Sequence, residues 1–304
     1  MTASSGDTER WNQGLANGFF VRIHAVSRFA LTGADRVRYL NGQCSNDVRK
    51  LTQKSDPIQA CILSARGKLD AVVWIWAEAD RLIVECDTNL ADKVAARLEK
   101  YIVADDVTLD PLPAPGNEWH VVTGKNPLPD PIRSQSIRSI QRLGAPGIDV
   151  CDAAFPESAE SAGLVLADES MRTLLRVQNL VPAWDHELQT DTLPAEARLD
   201  KTAVDFHKGC YLGQEVVSRI ESVGHANRML RTFEVSDGPP PQTGDVFMHP
   251  SAPEKAVAEI TTVARHFGLS KHVGLCYTRR GVECGDQLTS ADQSTRITIS
   301  DPSL

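Results

Sequence analysis

Chemically capable side chains are densest in the stretch DFHKGCYLGQE at 205–215. Two glycines four residues apart bracket a cysteine and a tyrosine, and a lysine precedes them. Val216, Val217 and Ile220 follow at helical spacing, so the pattern predicts a loop that runs into a short helix near Leu212. Gly209 permits a positive φ or a close backbone approach in that loop. Free N–H groups at a helix start favour an anionic or carbonyl-bearing ligand. Cys210 would sit near that positive end and beside Lys208, and both features lower a thiol pKa. The competing reading of Cys210 is a small buried apolar residue. For Gln214 and Glu215 it is a solvated helix surface.

The other candidate centres are weaker. The remaining six of the seven cysteines are scattered and none forms CxxC, a pattern of free thiols in a reducing cytoplasm rather than a disulfide framework. The spacings of Cys276 and Cys284, and of His266 and His272, match no common zinc module, so no metal site is expected. GxxxxGK[ST], GxGxxG after a strand, HExxH and GxSxG are all missing. The chain carries 32 basic and 40 acidic residues, a net charge of −8, which argues against binding nucleic acid through bulk electrostatics. Its longest fully apolar run, 71–77, is far shorter than the roughly 20 residues of a membrane span. Residues 1–18 are polar, with no secretion-signal pattern.

The elements that must position these residues follow from periodicity. FFVRIHAVSRFALTG at 19–33 alternates as strands do, and ADRVRYLN at 34–41 reads as a short helix stopped by Gly42. IQACILS and LDAVVWIW form a hairpin about the turn at 65–68, with RLIVEC as a third strand. Leu90, Val94, Leu98 and Ile102 mark an amphipathic helix with Thr88 as its N-cap. Eight of the seventeen prolines fall within 111–156, which therefore reads as connections around one strand, EWHVVTG. A helix at 168–180 puts Met171, Leu174, Leu175 and Gln178 on one face, with Pro182 ending the run. After the prolines at 239–241, short strands separated by Gly, Pro and Asp predict a small all-β barrel.

KGCYLGQE resembles the signature of the YgfZ-like folate-binding proteins, a branch of the glycine-cleavage T-protein (aminomethyltransferase) superfamily. YLNGQCSNDV at 39–48, LSARGKLDA at 63–71, RVQNLVPAWDHEL at 176–188, TLPAEARL at 192–199 and GLCYTRR at 274–280 resemble further family segments, in family order. The resemblance implies an α+β fold: a three-lobed ring of two α+β lobes with antiparallel sheets and a C-terminal β-barrel around a central folate channel. Mapped onto this chain, residues 1–50 and 137–226 form a discontinuous lobe carrying the KGCYLGQE loop. Residues 51–136 form the second lobe and 227–304 the barrel.

The ligand so implied is tetrahydrofolate or a one-carbon derivative. Such a site needs a planar polar side chain, an apolar or aromatic slot and a basic residue at its mouth. The resemblance puts Gln178 at the pterin, where the T-protein branch has Glu, and Lys208 near the carboxylate tail. Tyr211, Gln214, Glu215, Arg219 and Arg228 complete the implied binding set. Leu180 stands where the family usually has glycine. The T-protein reaction resembles an Asp-assisted one. That Asp position falls at Val72 in an ungapped reading from Gly67, so Asp70 comes two residues early, about 7 Å away along a strand. Trp74 and Trp76 share its strand face, with a core role as the default.

The expected function is a cytoplasmic, tetrahydrofolate-binding accessory protein that supports iron–sulfur cluster assembly or repair and, indirectly, tRNA-modifying cluster enzymes. Cys210 is its reactive thiol. Its expected partners are the reduced folate and iron–sulfur assembly proteins or cluster enzymes, with no direct nucleic acid and no membrane. The alternative is an enzyme, an aminomethyltransferase-like one-carbon transferase using Asp70. A scaffold that has lost folate is the third reading.

Overall fold

The structure is a computed structural model that describes residues 5–301 apart from Lys54, Val223 and His225, with the backbone alone at Ser136. In chain order the elements begin α1 (Ser5–Asn17), β1 (Phe19–Arg22), β2 (Val26–Thr32), α2 (Arg36–Gln43), β3 (Ile58–Leu63), β4 (Leu69–Ala77), β5 (Leu82–Asp87), α3 (Ala91–Glu99) and β6 (Thr108–Leu112). They continue with β7 (Glu118–Val122), α4 (Asp130–Arg133), β8 (Ser136–Ser139), β9 (Gly147–Cys151), α5 (Phe155–Ser161), β10 (Val165–Leu166), α6 (Glu169–Gln178) and α7 (Gln214–Ser222). The last strands are β11 (Arg228–Asp237), β12 (Val246–His249), β13 (Ala252–His266), β14 (Lys271–Arg279), β15 (Gln287–Ser290) and β16 (Arg296–Ser300).

The chain forms two compact units. One comprises Met1–Arg22, Asn117–Glu187 and Asn227–Leu304, the other Ile23–Gly116 and Leu188–Ala226. These limits differ from the lobes mapped by resemblance. Strand pairing is the reason: β2 pairs with β5 and β6, whereas β1 pairs with β7. The two strands read together in FFVRIHAVSRFALTG therefore enter different sheets.

The first unit holds the sheet β10-β1-β7-β9-β8 and a closed barrel, β11-β14-β13-β12-β15-β16. Pairing is antiparallel except between β1 and β10. Period-two alternation divides β1 between two cores. Phe19 and Val21 face a cluster with Trp11, Leu174 and Leu175, while Phe20 faces Val121, Val150 and Phe155. α1 was not legible in the polar N-terminal sequence. Its Trp11 is fully buried, 4.9 Å from the Phe19 ring and 5.5 Å from that of Phe267. The barrel closes through β11, which precedes the proline run and pairs with both β14 and β16.

The second unit holds the antiparallel sheet β3-β4-β5-β2-β6. Ala71, Val73 and Ile75 of β4 pack with Val94 and Leu98 of α3. Trp74 and Trp76 pack with Ala30 and Ile83, a core role as the alternation suggested. Arg28 lies over the Trp76 ring at 5.3 Å and forms a buried 2.7 Å pair with Glu85.

Local punctuation differs from the sequence reading in three places. Gly42 lies inside α2, and its carbonyl accepts from the Leu212 N–H. Asp87, not Thr88, caps the single 3-10 turn that leads into α3. α6 ends before Pro182, in a Schellman motif: Leu180 N–H donates to Val177 O, and Val181 N–H to Arg176 O. Leu180 occupies its left-handed position at φ 53°. A residue with a Cβ there costs about 1 kcal/mol.

Candidate functional site

The KGCYLGQE loop is built on the second unit. Lys208 is buried, and its Nζ donates to the carbonyls of Asn41 at 2.6 Å, Cys44 at 2.7 Å and Asn46 at 2.8 Å. An ammonium has three donors, so all are committed to the NGQCSN turn. The ammonium also lies 5.0 Å over the buried Tyr211 ring. Burial foremost lowers the Lys208 pKa and raises that of Tyr211. Lys208 thus anchors the loop; it is not the basic residue at a ligand's mouth that the resemblance implied.

A second set of bonds joins the same two segments. Ser45 donates its hydroxyl to Ala203 O and accepts the Cys61 N–H, while Asp205 N–H donates to Ser45 O. The Asp205 side chain accepts from His207 N–H and pairs with Lys50.

The glycine that the loop requires is Gly213, at φ 84°. A Cβ there would lie 2.6 Å from Ser64 O and 3.2 Å from the Gly67 Cα. Gly67 itself sits at φ 71°, where a Cβ would meet Val216 at 2.7 Å. The signature loop and the hairpin turn therefore pack backbone against backbone through two glycines. Gly209, by contrast, has open space around it and no positive φ, contrary to the sequence expectation.

Between these anchors Cys210 is exposed, with Cys151 and Cys284; Cys44, Cys61, Cys86 and Cys276 are buried. Burial pushes the Cys44 thiol up to about 11 and those of Cys61, Cys86 and Cys276 to about 12. α7 begins only at Gln214, which is half-buried. Lys208 Nζ, two residues before Cys210 in the chain, is turned to the three carbonyls. Glu215 and Arg219 form an exposed i,i+4 pair at 2.7 Å, the solvated-surface reading of Glu215.

Asp70 is held by α3: Lys93 Nζ lies 2.8 Å and Arg97 Nε 3.9 Å from its two carboxylate oxygens. Arg97 also donates to Gln43 Oε1 and Leu63 O. The carboxylate is thus paired to α3, the helix that covers Ala71, Val73 and Ile75. An ion pair of this kind fixes a strand end.

In the first unit, Gln178 is the last residue of α6 and is half-buried. Its side-chain amide lies 3.1 Å from His266 Nε2. Two residues earlier Arg176 enters a network the sequence reading missed. It donates to Glu187 at 2.6 Å, to Thr262 at 2.8 Å and to Val181 O. Thr262 donates to the second Glu187 oxygen at 2.6 Å, and Ala183 N–H to the first. Tyr277 O–H donates to Glu187 O, and the Arg228 guanidinium lies 4.3 Å over the Tyr277 ring. The available signal was a lone Arg and a lone Glu eleven residues apart inside RVQNLVPAWDHEL. Among the described residues, no group of three or more His, Cys, Asp or Glu could hold a metal ion. No described helix is long and apolar enough to cross a membrane.

No family model matches the chain. It is 25% identical over 230 residues to an iron–sulfur cluster assembly factor IBA57 homolog, mitochondrial, of Phaeosphaeria nodorum, covering 72% of this chain and 55% of the relative. It is 25% identical over 218 residues to the tRNA-modifying protein YgfZ of Yersinia pestis, covering 66% of each. The chain thus spans little more than half the length of the IBA57 homologues it matches. Among solved structures it is similar to the glycine cleavage system aminomethyltransferase T of Bartonella henselae. The TM-score is 0.81 at 15% identity, covering 99% of this chain and 90% of the other.

Proposed function

We propose that this chain, a YgfZ-like protein of the glycine-cleavage T-protein superfamily, holds a reduced folate and supports iron–sulfur cluster assembly or repair in the cytoplasm. Through that role it serves tRNA-modifying and other cluster enzymes indirectly. The observation that carries the reading is Cys210. Its thiol is exposed on a loop fixed on one side by the three hydrogen bonds of buried Lys208 and on the other by the Gly213–Gly67 contact. A loop anchored this firmly around an exposed thiol suits a thiol that must meet a partner protein or a cluster. The names of the relatives, one an assembly factor and one a tRNA-modifying protein, support the same direction.

The folate part of the reading rests on Gln178. Among the described residues its amide makes only the hydrogen bond to His266. A half-buried planar amide with remaining hydrogen-bonding capacity fits the polar edge of a pterin. Arg228 is the guanidinium we assign to the carboxylate tail, because Arg binds carboxylates through a planar fork. The bound folate would supply a carrier for one-carbon units. The chain's part is to hold its ring and tail.

The test uses cells lacking the native gene. The wild-type chain restores cluster-enzyme activity, and Cys210→Ser does not, although the variant melts at the same temperature. In the native protein a small alkylating agent labels Cys210 and spares the four buried cysteines. Full cellular function of the serine variant would make Cys210 a bystander and overturn the reading.

A further inference from the structure

The contact between Gln178 and His266 has a direction. His266 Nδ1 lies 3.1 Å from the Gly268 nitrogen and accepts its N–H. A neutral imidazole carries one proton, so with Nδ1 accepting, the proton is on Nε2. Nε2–H is then a donor 3.1 Å from the atom placed as the Gln178 amide nitrogen. Two donors cannot bond, and the two ends of an amide are assigned by the network they join. The amide therefore stands with its oxygen toward His266 and its NH2 group turned away from it.

The surroundings hold the ring in this form. Trp11 of α1 meets it edge-on, with ring centroids 6.5 Å apart. Burial foremost lowers the His266 pKa, with Glu234 of β11 raising it and Lys271, its register partner on β14, lowering it. A protonated ring would also set a second N–H against the Gly268 N–H.

We infer that His266 is a positioning residue that fixes Gln178 as a hydrogen-bond donor, so that the ligand atom facing Gln178 is an acceptor of the ring-carbonyl type rather than a ring N–H or an amino group. The polarity follows from the Gly268 N–H contact to His266 Nδ1, which decides the amide's two ends; its application to tetrahydrofolate rests on the proposed function. In that ligand the matching group is the 4-oxo oxygen of the pterin. The 2-amino group and the ring N–H groups are donors and would face elsewhere.

Two measurements on the full chain separate the inference from the folate reading. The first is a long-range proton–nitrogen NMR spectrum of the ligand-free protein near neutral pH. It should show His266 as the Nε2–H tautomer; an Nδ1–H tautomer or a charged ring overturns the inference whatever the ligand. The second compares tetrahydrofolate with its 4-amino counterpart, which replaces the acceptor by a donor. The wild type should prefer the 4-oxo compound by about tenfold or more, because a site that hydrogen-bonds one group leaves its partner unpaired with the other. His266→Phe keeps the aromatic packing but frees the amide to turn, and should lose most of that preference. Equal affinity of the wild type for both compounds contradicts the inference. Binding of neither compound defeats the folate reading, and the tautomer still decides the polarity.

Discussion

At Lys208, burial and hydrogen bonding act in opposite directions. Burial disfavours the ammonium, and three carbonyls 2.6–2.8 Å away require it. Lys208→Met would keep the aliphatic stem and leave those carbonyls without their donor, at a cost of about 3 kcal/mol or more. Lys208→Arg should not rescue it, since a planar fork cannot bring three donors to a point as an ammonium does. Denaturant unfolding of both variants reads this out. A methionine variant as stable as wild type that had lost only ligand affinity would restore the tail-binding role suggested by the sequence. Residue type and spacing thus singled out those eleven residues. They could not say which way the lysine faces, nor that Gly213 rather than Gly209 meets another backbone, because both depend on segments more than a hundred residues away.

Among the elements, β7, β8 and β9 are joined by a buried polar cluster. His120 Nδ1 lies 3.0 Å from Asp149 Oδ1, and Arg142 grips both Asp149 oxygens, with Arg138 at 3.6 Å. Burial foremost lowers the His120 pKa, and Arg142 supplies the charge that balances the carboxylate. Burial also pulls the Asp149 carboxyl upward, but the His120 hydrogen bond and the Arg142 charge outweigh it, lowering it from 3.8 to about 2. A carboxyl depressed on folding stabilises the protein above its unfolded pKa, and that stability is lost as pH falls through the folded value. The window here runs from about pH 4 down to about pH 2, and the contribution is about 2 kcal/mol. Asp149→Asn should lower stability near neutral pH by about 3 kcal/mol, by removing the buried carboxylate charge that Arg142 grips. It should also flatten the acid limb. Parallel stability–pH curves for variant and wild type across that window would sink the idea. None of this cluster was visible in the proline-rich region, where short strands and long-range pairing leave no periodic signal. α1 was missed for a related reason: its one large buried side chain, Trp11, makes no stripe.

Across the whole chain, the strand segments and the barrel were legible because alternation and turn residues are local. The division into units was not, because it depends on β1 pairing with β7 and β2 with β5 and β6. The proposed ligand comes only from family resemblance, and the Gln178–His266 contact that bears on it joins residues 88 positions apart. The central claim is that this chain binds a reduced folate. Isothermal titration of tetrahydrofolate into the purified full chain under anaerobic conditions tests it most directly. The account predicts a saturable heat with one site per chain. The absence of any binding heat, with the protein folded and ligand in large excess, would contradict it.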